Sequence, residues 1–168
     1  MRLTIYRIFS FLLLPVAILF SIAVLLLIGA AFANPPLFFS IFFAAGVSIY
    51  TFASLNFLIR GIDGNKFLGR SSKDWFIVNA LVSVIYALLA IAQQFILLLH
   101  PEIIETLANS AKMNAGSSLS LSGEQLTQSI KGISYFIFIY GIVLFVHIIF
   151  SFYYLKKYGY LFQNEKNQ

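Results

Sequence analysis

The sequence has no cysteine among its 168 residues, and only 10% of the residues are charged. Without cysteine the chain cannot form disulfides, thiolate metal sites or a thiol nucleophile. Soluble domains carry about 25% charged residues, so this chain has too few charges to cover a water-exposed surface. Hydrophobic residues make up 60% of the sequence, and 19 of them are phenylalanine. The composition therefore excludes a water-soluble globule and predicts a protein that lies in a lipid bilayer.

Four long apolar stretches lack charged residues in their cores, and each is long enough to cross a membrane, which takes roughly 20 residues. The stretches cover about residues 8–33, 37–59, 75–99 and 133–154. The turn Asn34-Pro35-Pro36 separates the first two, because proline disfavours helix in the residue before it. We predict an all-α membrane protein: one integral membrane domain over residues 1–168, folded as a four-transmembrane-helix bundle with antiparallel up-down topology.

The basic residues predict the orientation. Two precede the first span, four lie between the second and third spans and three follow the fourth, so that nine of the eleven fall on one side. The positive-inside rule then places both termini and the 60–74 loop in the cytoplasm, and the 100–131 loop outside. Aromatic residues expected to anchor the cytoplasmic boundary are Tyr6, Trp75, Tyr153, Tyr154 and Tyr158. The frequent isoleucine, phenylalanine and asparagine are typical of a bacterium with AT-rich coding, so we expect this multi-pass protein to lie in a bacterial inner membrane.

The net charge of +5 is interpreted as attraction to anionic lipid head groups on the cytoplasmic side. The residues predicted to contact these lipids are Arg60, Lys66, Arg70, Lys73, Lys156 and Lys157. Nucleic acid would require a basic soluble face, and the sequence offers none. The partners that we expect are therefore the bilayer itself and a membrane-protein partner or a second copy of the chain.

The segment Gly64–Ser71, GNKFLGRS, differs by one letter from the phosphate-binding pattern G-x-x-x-x-G-K-[ST]. That loop must follow a strand and open a helix in an α/β domain, whereas this segment joins two membrane spans. Arg70 also stands where the pattern has lysine. We interpret the segment as turn chemistry around Asp63-Gly64, followed by a capping box, Ser71-x-x-Asp74, and predict no nucleotide binding.

A secretory signal is the alternative interpretation of the first span. Arg2 and Arg7 precede an apolar run that ends in Ala31-Phe32-Ala33, which resembles a cleavage site. The run is longer than the 7–15 residues of a typical signal core. We therefore favour a retained membrane span.

The 100–131 loop carries two helix-start signals. Pro101 with Glu102 and Glu105 predicts a short helix, whose apolar face would comprise Ile103, Ile104, Leu107, Ala108 and Ala111. Ser122-x-x-Gln125 predicts a second capping box, so that the fourth span begins several turns early. The stretch between them, NAGSSLSLSG, is expected to be flexible.

Polar residues inside the spans are the candidate functional positions, because they are costly in hydrocarbon. The predicted intramembrane polar layer comprises Thr51, Asn79, Ser83, Tyr86, Gln93, Gln94, Tyr140, His147 and Ser151. Those on the third span recur at three- and four-residue steps and are expected to share one face. Thr51, Ser83 and His147 lie at similar depth, about 5 Å to the cytoplasmic side of each midpoint. We therefore expect His147 to hydrogen-bond Ser83 or Thr51.

The spans contain no acidic residue and no catalytic motif. A pairing of Ser83 with His147 would lack an orienting acid, so the sequence predicts no enzyme. No metal or other cofactor is expected, since His100 and His147 lie over about 15 Å apart along the membrane normal. The leading hypothesis is a non-enzymatic accessory subunit or scaffold of a membrane assembly. The alternative is a small neutral-solute transporter or oligomeric pore, lined by the polar face of the third span.

Overall fold

The computed structural model describes residues 2–115 and 122–162, which are almost entirely helical. The elements in chain order are α1 (Arg2–Ala33), α2 (Leu37–Asn56) continued by a π-helix (Phe57–Asp63), α3 (Arg70–Leu99), α4 (Pro101–Ala115), α5 (Gly123–Lys157) and a 3₁₀-helix (Gly159–Phe162). All four predicted spans lie within these helices.

Four of the helices are long and apolar enough to cross a membrane: α1, α2 with its π-helix, α3 and α5. The predicted all-helical fold, with four helices long and apolar enough to cross a membrane, is therefore confirmed. The helices extend beyond the predicted spans, most of all in α5, which has 35 residues. At about 1.5 Å per residue, α5 is longer than a hydrocarbon core of about 30 Å, so its amphipathic first turns extend past the apolar part.

The start of α5 is set by the predicted capping box. The Ser122 backbone N–H donates to Gln125 Oε1 at 2.9 Å, and the Gln125 N–H donates to Ser122 Oγ at 3.2 Å. Each side chain thus satisfies a backbone donor that the first helical turn leaves open. The prediction that the fourth span begins early is confirmed. Of the stretch expected to be flexible, residues 116–121 lie outside the described residues.

The predicted short helix after Pro101 is confirmed as α4, with only part of its expected apolar face buried. Ile104 and Ala108 are 2% and 1% exposed, whereas Ile103 and Leu107 remain open. Ile104 and Ala108 are four residues apart and therefore face the same way, while Ile103 and Leu107 lie beside that stripe. The contact made by α4 is narrower than the sequence pattern suggested.

Glu102, at the start of α4, provides a test of local electrostatics. A hydrogen bond from its own backbone N–H, and a second from His100 Nδ1 at 2.8 Å, lower the pKa of the Glu102 carboxyl. Because the folded pKa is depressed, these contacts favour the folded chain above the ordinary glutamate pKa and are lost as the pH falls through the folded value. We expect His100→Ala to raise this pKa, yet to leave it below the ordinary value, since the backbone bond is the larger cause. Carbon-13 NMR titration measures the pKa of the Glu102 carboxyl in the unmodified protein and in His100→Ala. An equal pKa in the two proteins would contradict the contribution of His100.

The chain divides into two compact units. The first contains α1, α2, the π-helix, α3 as far as Tyr86 and α5 from Val143 onward; the second contains residues 87–142. In the first unit α1 packs along α2. Its largest wholly buried side chains include Tyr6, Tyr50 and Phe57. The buried residues of the second unit include Ala87, Ala90, Ile104, Ala108 and Leu126.

The ends of several helices meet around the 60–74 loop in the first unit. Arg7 of α1 forms an ion pair with Asp63 at the end of the π-helix. The Leu68 N–H donates to the Leu161 carbonyl at 2.6 Å, which ties the loop to the 3₁₀-helix. The ion pair is exposed and is therefore worth only about 0–1 kcal/mol. The backbone bond at Leu68, which is 9% exposed, is the better-protected link.

The turn chemistry of this loop differs in detail from the prediction. Asn65, with φ of 45°, is the residue in the left-handed region, while Gly64 has φ of −87°. Asparagine tolerates that region better than most residues, which accounts for its position. The predicted cap at Ser71 was wrong: α3 begins at Arg70, and Ser71 lies inside its first turn.

Candidate functional site

A buried histidine lies at the centre of the first unit. His147 of α5 has no exposed surface, and the side chains around it come from three helices. α1 contributes Tyr6 and Ser10, α2 contributes Tyr50, and α5 adds Ser151. The pairs Tyr6 and Ser10, and His147 and Ser151, are each four residues apart, so each pair shares one helix face. We refer to these five residues as the histidine network.

Both ring nitrogens of His147 are paired. Nε2 lies 2.9 Å from Ser10 Oγ, and Nδ1 lies 2.8 Å from the Tyr50 hydroxyl. The Tyr50 hydroxyl lies a further 2.8 Å from Ser151 Oγ, which donates to the Tyr6 hydroxyl at 3.3 Å. Ser10 also donates to the Tyr6 carbonyl at 2.9 Å. The chain of hydrogen bonds thus begins at the backbone of Tyr6 and ends at its side chain.

The network accommodates either tautomer of a neutral imidazole. With the proton on Nε2, the ring donates to Ser10, Ser10 donates to the Tyr6 carbonyl, and Tyr50 donates to Nδ1. With the proton on Nδ1, the donors run from His147 to Tyr50, to Ser151 and to Tyr6, while Ser10 donates to Nε2. Neither arrangement leaves a ring nitrogen unpaired, which is what a buried polar group requires.

Aromatic packing fixes the plane of the imidazole. The Tyr6 ring stacks on His147 with centroids 4.9 Å apart and planes within 4°. Tyr50 meets the imidazole edge-on at 5.7 Å, and Tyr154 packs on Tyr6 at 5.0 Å. Rings in such contacts resist rotation, because the neighbouring faces leave no room for another rotamer. Hydrogen bonds and stacking therefore determine the same ring position.

The Ser10–His147 pair has the separation of a nucleophile and its base. Both residues are wholly buried, so a substrate cannot reach the serine oxygen. Tyrosine, and no carboxylate, contacts the other ring nitrogen. A hydrolytic site needs an accessible nucleophile and a group that stabilises the imidazolium. This arrangement has the geometry of a structural contact between helices.

The expected partners of His147 were wrong. Ser83 Oγ donates to the Asn79 carbonyl at 2.7 Å and lies 3.5 Å from the Gly46 carbonyl. Thr51 Oγ1 donates to the Val47 carbonyl at 2.8 Å. Hydroxyl groups on helices readily bond the carbonyl four residues earlier, and both residues take that local acceptor.

The polar layer predicted on the third span is divided. Asn79 and Ser83 are buried, whereas Tyr86 is half-buried, with Phe20 against the edge of its ring. Gln94 is buried and Gln93 is exposed, so the expectation that both share one face was wrong. Neighbouring residues on a helix point about 100° apart, so only one of the two amides fits a narrow stripe. The two glutamines and Tyr140, which is buried, belong to the second unit.

Tyr6, Ser10 and Tyr50 were missing from the predicted layer. Tyr6 was assigned to the membrane boundary with Tyr154, yet they are 0% and 3% exposed and pack inside the first unit. The available signal was the spacing Tyr6-x₃-Ser10, continued by buried Leu13 and Ala17 on one face of α1. It was obscured because almost every residue of this helix is apolar.

The residues predicted to contact anionic lipid lie on the surface of the first unit. All are exposed except Lys73, which is half-buried. Within residues 2–115 and 122–162, the ion pairs are Arg7 with Asp63 and His100 with Glu102, so none of the six predicted lipid contacts is neutralised by a described carboxylate. Their charges are available to an external anion.

No protein-family model, no curated protein and no solved structure matches this chain.

Proposed function

We propose that the chain is a non-enzymatic subunit of a bacterial inner-membrane assembly, acting as an accessory or scaffold component, with both termini in the cytoplasm. The observation that carries this proposal is the open segment of α1 over residues 25–30. Around the histidine network, by contrast, the polar groups of the first unit are occupied by one another. The polar groups of the histidine network thus have partners within the chain, whereas the apolar segment 25–30 of α1 has none among the described residues.

The two halves of α1 differ in their surroundings. In the first half, Tyr6, Leu13 and Ala17 are wholly buried on one stripe. In the second half, the six consecutive residues 25–30 are all exposed, and Leu26 reaches 76% exposure. Six residues make more than one helical turn of about 3.6 residues, so no face is covered there. Either lipid or another polypeptide must surround this segment.

The exposed segment ends in a pair of small residues. Gly29 and Ala33 are four apart and both exposed, and a Cβ atom added to Gly29 would meet no atom within 4 Å. Small residues at this spacing allow two helix backbones to approach closely, which is a common basis of helix association in membranes. This feature favours a helix from another polypeptide over lipid alone.

The transporter alternative has weaker support. Asn79 and Ser83 donate to carbonyls of their own helix at 2.8 and 2.7 Å, so they need no water-filled path. Buried polar side chains of this kind are common where helices pack together. The pore hypothesis predicts loss of solute flux in a Gln93→Leu, Ser83→Ala double variant, whereas a scaffold should tolerate the change.

The absence of cysteine makes the proposal testable by site-specific cross-linking. Leu26→Cys, labelled with a maleimide–diazirine reagent in native membranes, should photo-cross-link to one discrete polypeptide. Mass spectrometry identifies it, and native mass spectrometry of the gently extracted complex gives its stoichiometry. The matched control is Leu13→Cys on the same helix, which is wholly buried and should give no adduct.

Gly29→Leu should abolish the Leu26→Cys adduct without lowering stability, because the position is open within the chain. Adducts to lipid alone, with a single polypeptide in native mass spectrometry, would overturn the accessory-subunit proposal. Adducts only to a second copy of the chain would instead favour the oligomeric pore. Solute-flux measurements on the Gln93→Leu, Ser83→Ala variant would then test the pore hypothesis.

A further inference from the structure

A cavity of about 220 Å³ lies in the first unit, between the α2–π-helix junction, the first turns of α3 and the 3₁₀-helix. Four aromatic side chains line it: Phe57, Trp75, Phe76 and Phe162. The Phe57 ring packs against Phe76 at 5.8 Å and against Phe162 at 5.4 Å. Phe57, Phe76 and Phe162 are nearly buried, so this apolar wall is fixed by packing.

The same cavity has a polar side, formed by Asn56, Ser71 and Ser72. Asn56 is half-buried, and its side chain makes no hydrogen bond to any residue that the structure describes. A side-chain amide carries two donors and one acceptor, so Asn56 has the capacity to hydrogen-bond a polar ligand group. The cavity is thus amphipathic, with rings on one side and hydrogen-bonding groups on the other.

The segment that supplies most of the cavity lining is rich in basic residues. Four of the basic residues lie in the segment that forms it: Arg60, Lys66, Arg70 and Lys73. Asp63 is already paired with Arg7, which leaves Asp74 as the remaining acid of the segment. Each basic residue near a membrane surface contributes attraction for anionic lipid. Charge complementarity therefore selects an anion as the occupant.

Trp75 indicates the depth of the cavity in the bilayer. It is 61% exposed and stands at the start of the apolar part of α3. Tryptophan side chains concentrate where head groups meet acyl chains. The cavity is also smaller than the roughly 300–1,000 Å³ of pockets that enclose a whole small molecule. It suits one part of a larger amphiphile whose remainder stays in the membrane.

We propose that this cavity binds one anionic phospholipid. The apolar part nearest the glycerol lies against the aromatic wall, and the phosphate lies toward Asn56, Ser71 and the Arg70 side of α3. A freely soluble phosphate would make no use of the rings, and a zwitterionic lipid would make less use of the cations. The lipid joins α2, α3 and the C-terminal 3₁₀-helix at one end of the first unit.

Trp75 is the sole tryptophan in the sequence and lines the cavity, so its fluorescence reports occupancy directly. The full chain is reconstituted in phosphatidylcholine vesicles containing a small fraction of either brominated phosphatidylglycerol or brominated phosphatidylcholine. Bromine quenches tryptophan at short range. We expect the phosphatidylglycerol probe to quench more steeply than the phosphatidylcholine probe at equal fraction, and its quenching to saturate.

Two variants separate the site from general surface attraction. Ala53 lines the cavity, and Ala53→Leu should fill it, removing the preference for phosphatidylglycerol while leaving unselective quenching by surrounding lipid intact. Arg70→Gln with Lys73→Gln should weaken the preference about thirtyfold, given the combined contribution of two basic residues. Lys156→Gln with Lys157→Gln removes the same charge away from the cavity lining and should retain most of the preference.

Equal quenching by the two probes would overturn the proposal. So would an unchanged preference for phosphatidylglycerol in the Ala53→Leu variant, once circular dichroism has verified that the variant is folded. If Lys156→Gln with Lys157→Gln lost as much of the phosphatidylglycerol preference as Arg70→Gln with Lys73→Gln, the attraction would come from general surface charge. That result would also overturn the proposal. Competition by inorganic phosphate at an affinity matching that of the lipid would show a free-anion site, contrary to the lipid assignment.

Discussion

Replacing His147 with alanine is expected to lower the free energy of unfolding by about 3 kcal/mol. The change removes two hydrogen bonds, to Ser10 and Tyr50, and each such bond within a membrane protein is worth about 0.6–1.7 kcal/mol. It also removes the stacking partner of Tyr6, worth about 0.5–1.5 kcal/mol. The remaining hydroxyls retain the bonds from Ser10 to the Tyr6 carbonyl and between Tyr50 and Ser151, which limits the loss.

Unfolding in mixed detergent micelles, with added dodecyl sulfate as the denaturant, measures this difference. His100→Ala is the matched control, because it removes the other histidine, which is exposed. His147→Leu should recover part of the loss, since it restores apolar volume without restoring either hydrogen bond. Equal stability of the His147→Ala and His100→Ala variants would show that the histidine network does not hold the helices together.

The four helices that are long and apolar enough to cross a membrane could be predicted from the sequence, because long apolar stretches leave few alternatives to such helices. The capping box at Ser122 and Gln125 was also predictable, because its two hydrogen bonds depend on residues only three apart. Local rules of this kind do not require knowledge of which helices touch.

The partners of His147 could not be predicted in the same way. Several polar residues lie at about the same predicted depth as His147, so depth alone gave more than one candidate partner. Depth does not specify how each helix is rotated about its axis. Ser83 and Thr51 have acceptors within their own helices, whereas Ser10 and Tyr50 point at the imidazole. The partner from α1, Ser10, was not predicted because a few polar residues on an otherwise apolar helix produce only a weak periodic signal. The rotation of each helix about its axis is determined by side-chain packing between helices, which sequence patterns predict poorly.

Gly46 lies where α2 packs closely against Val82 of α3 in the first unit. A Cβ atom at this position would lie 2.5 Å from Val82 Cγ1 and 3.2 Å from Val82 Cβ, both too short for an unstrained contact. Valine is branched at Cβ and has little rotamer freedom in a helix, so it cannot turn aside. Gly46→Ala should therefore push the helices apart and cost about 1–3 kcal/mol of unfolding free energy.

The cause is tested by changing the neighbour. Val82→Ala removes Val82 Cγ1, the atom that the new Cβ atom would meet at 2.5 Å, so the Gly46→Ala, Val82→Ala double variant should be more stable than the sum of the single effects predicts. Gly29→Ala is the matched control: an added Cβ meets nothing within 4 Å, and alanine favours helix over glycine by up to about 1 kcal/mol. Additive effects at Gly46 and Val82 would mean that α2 and α3 are not in this close contact.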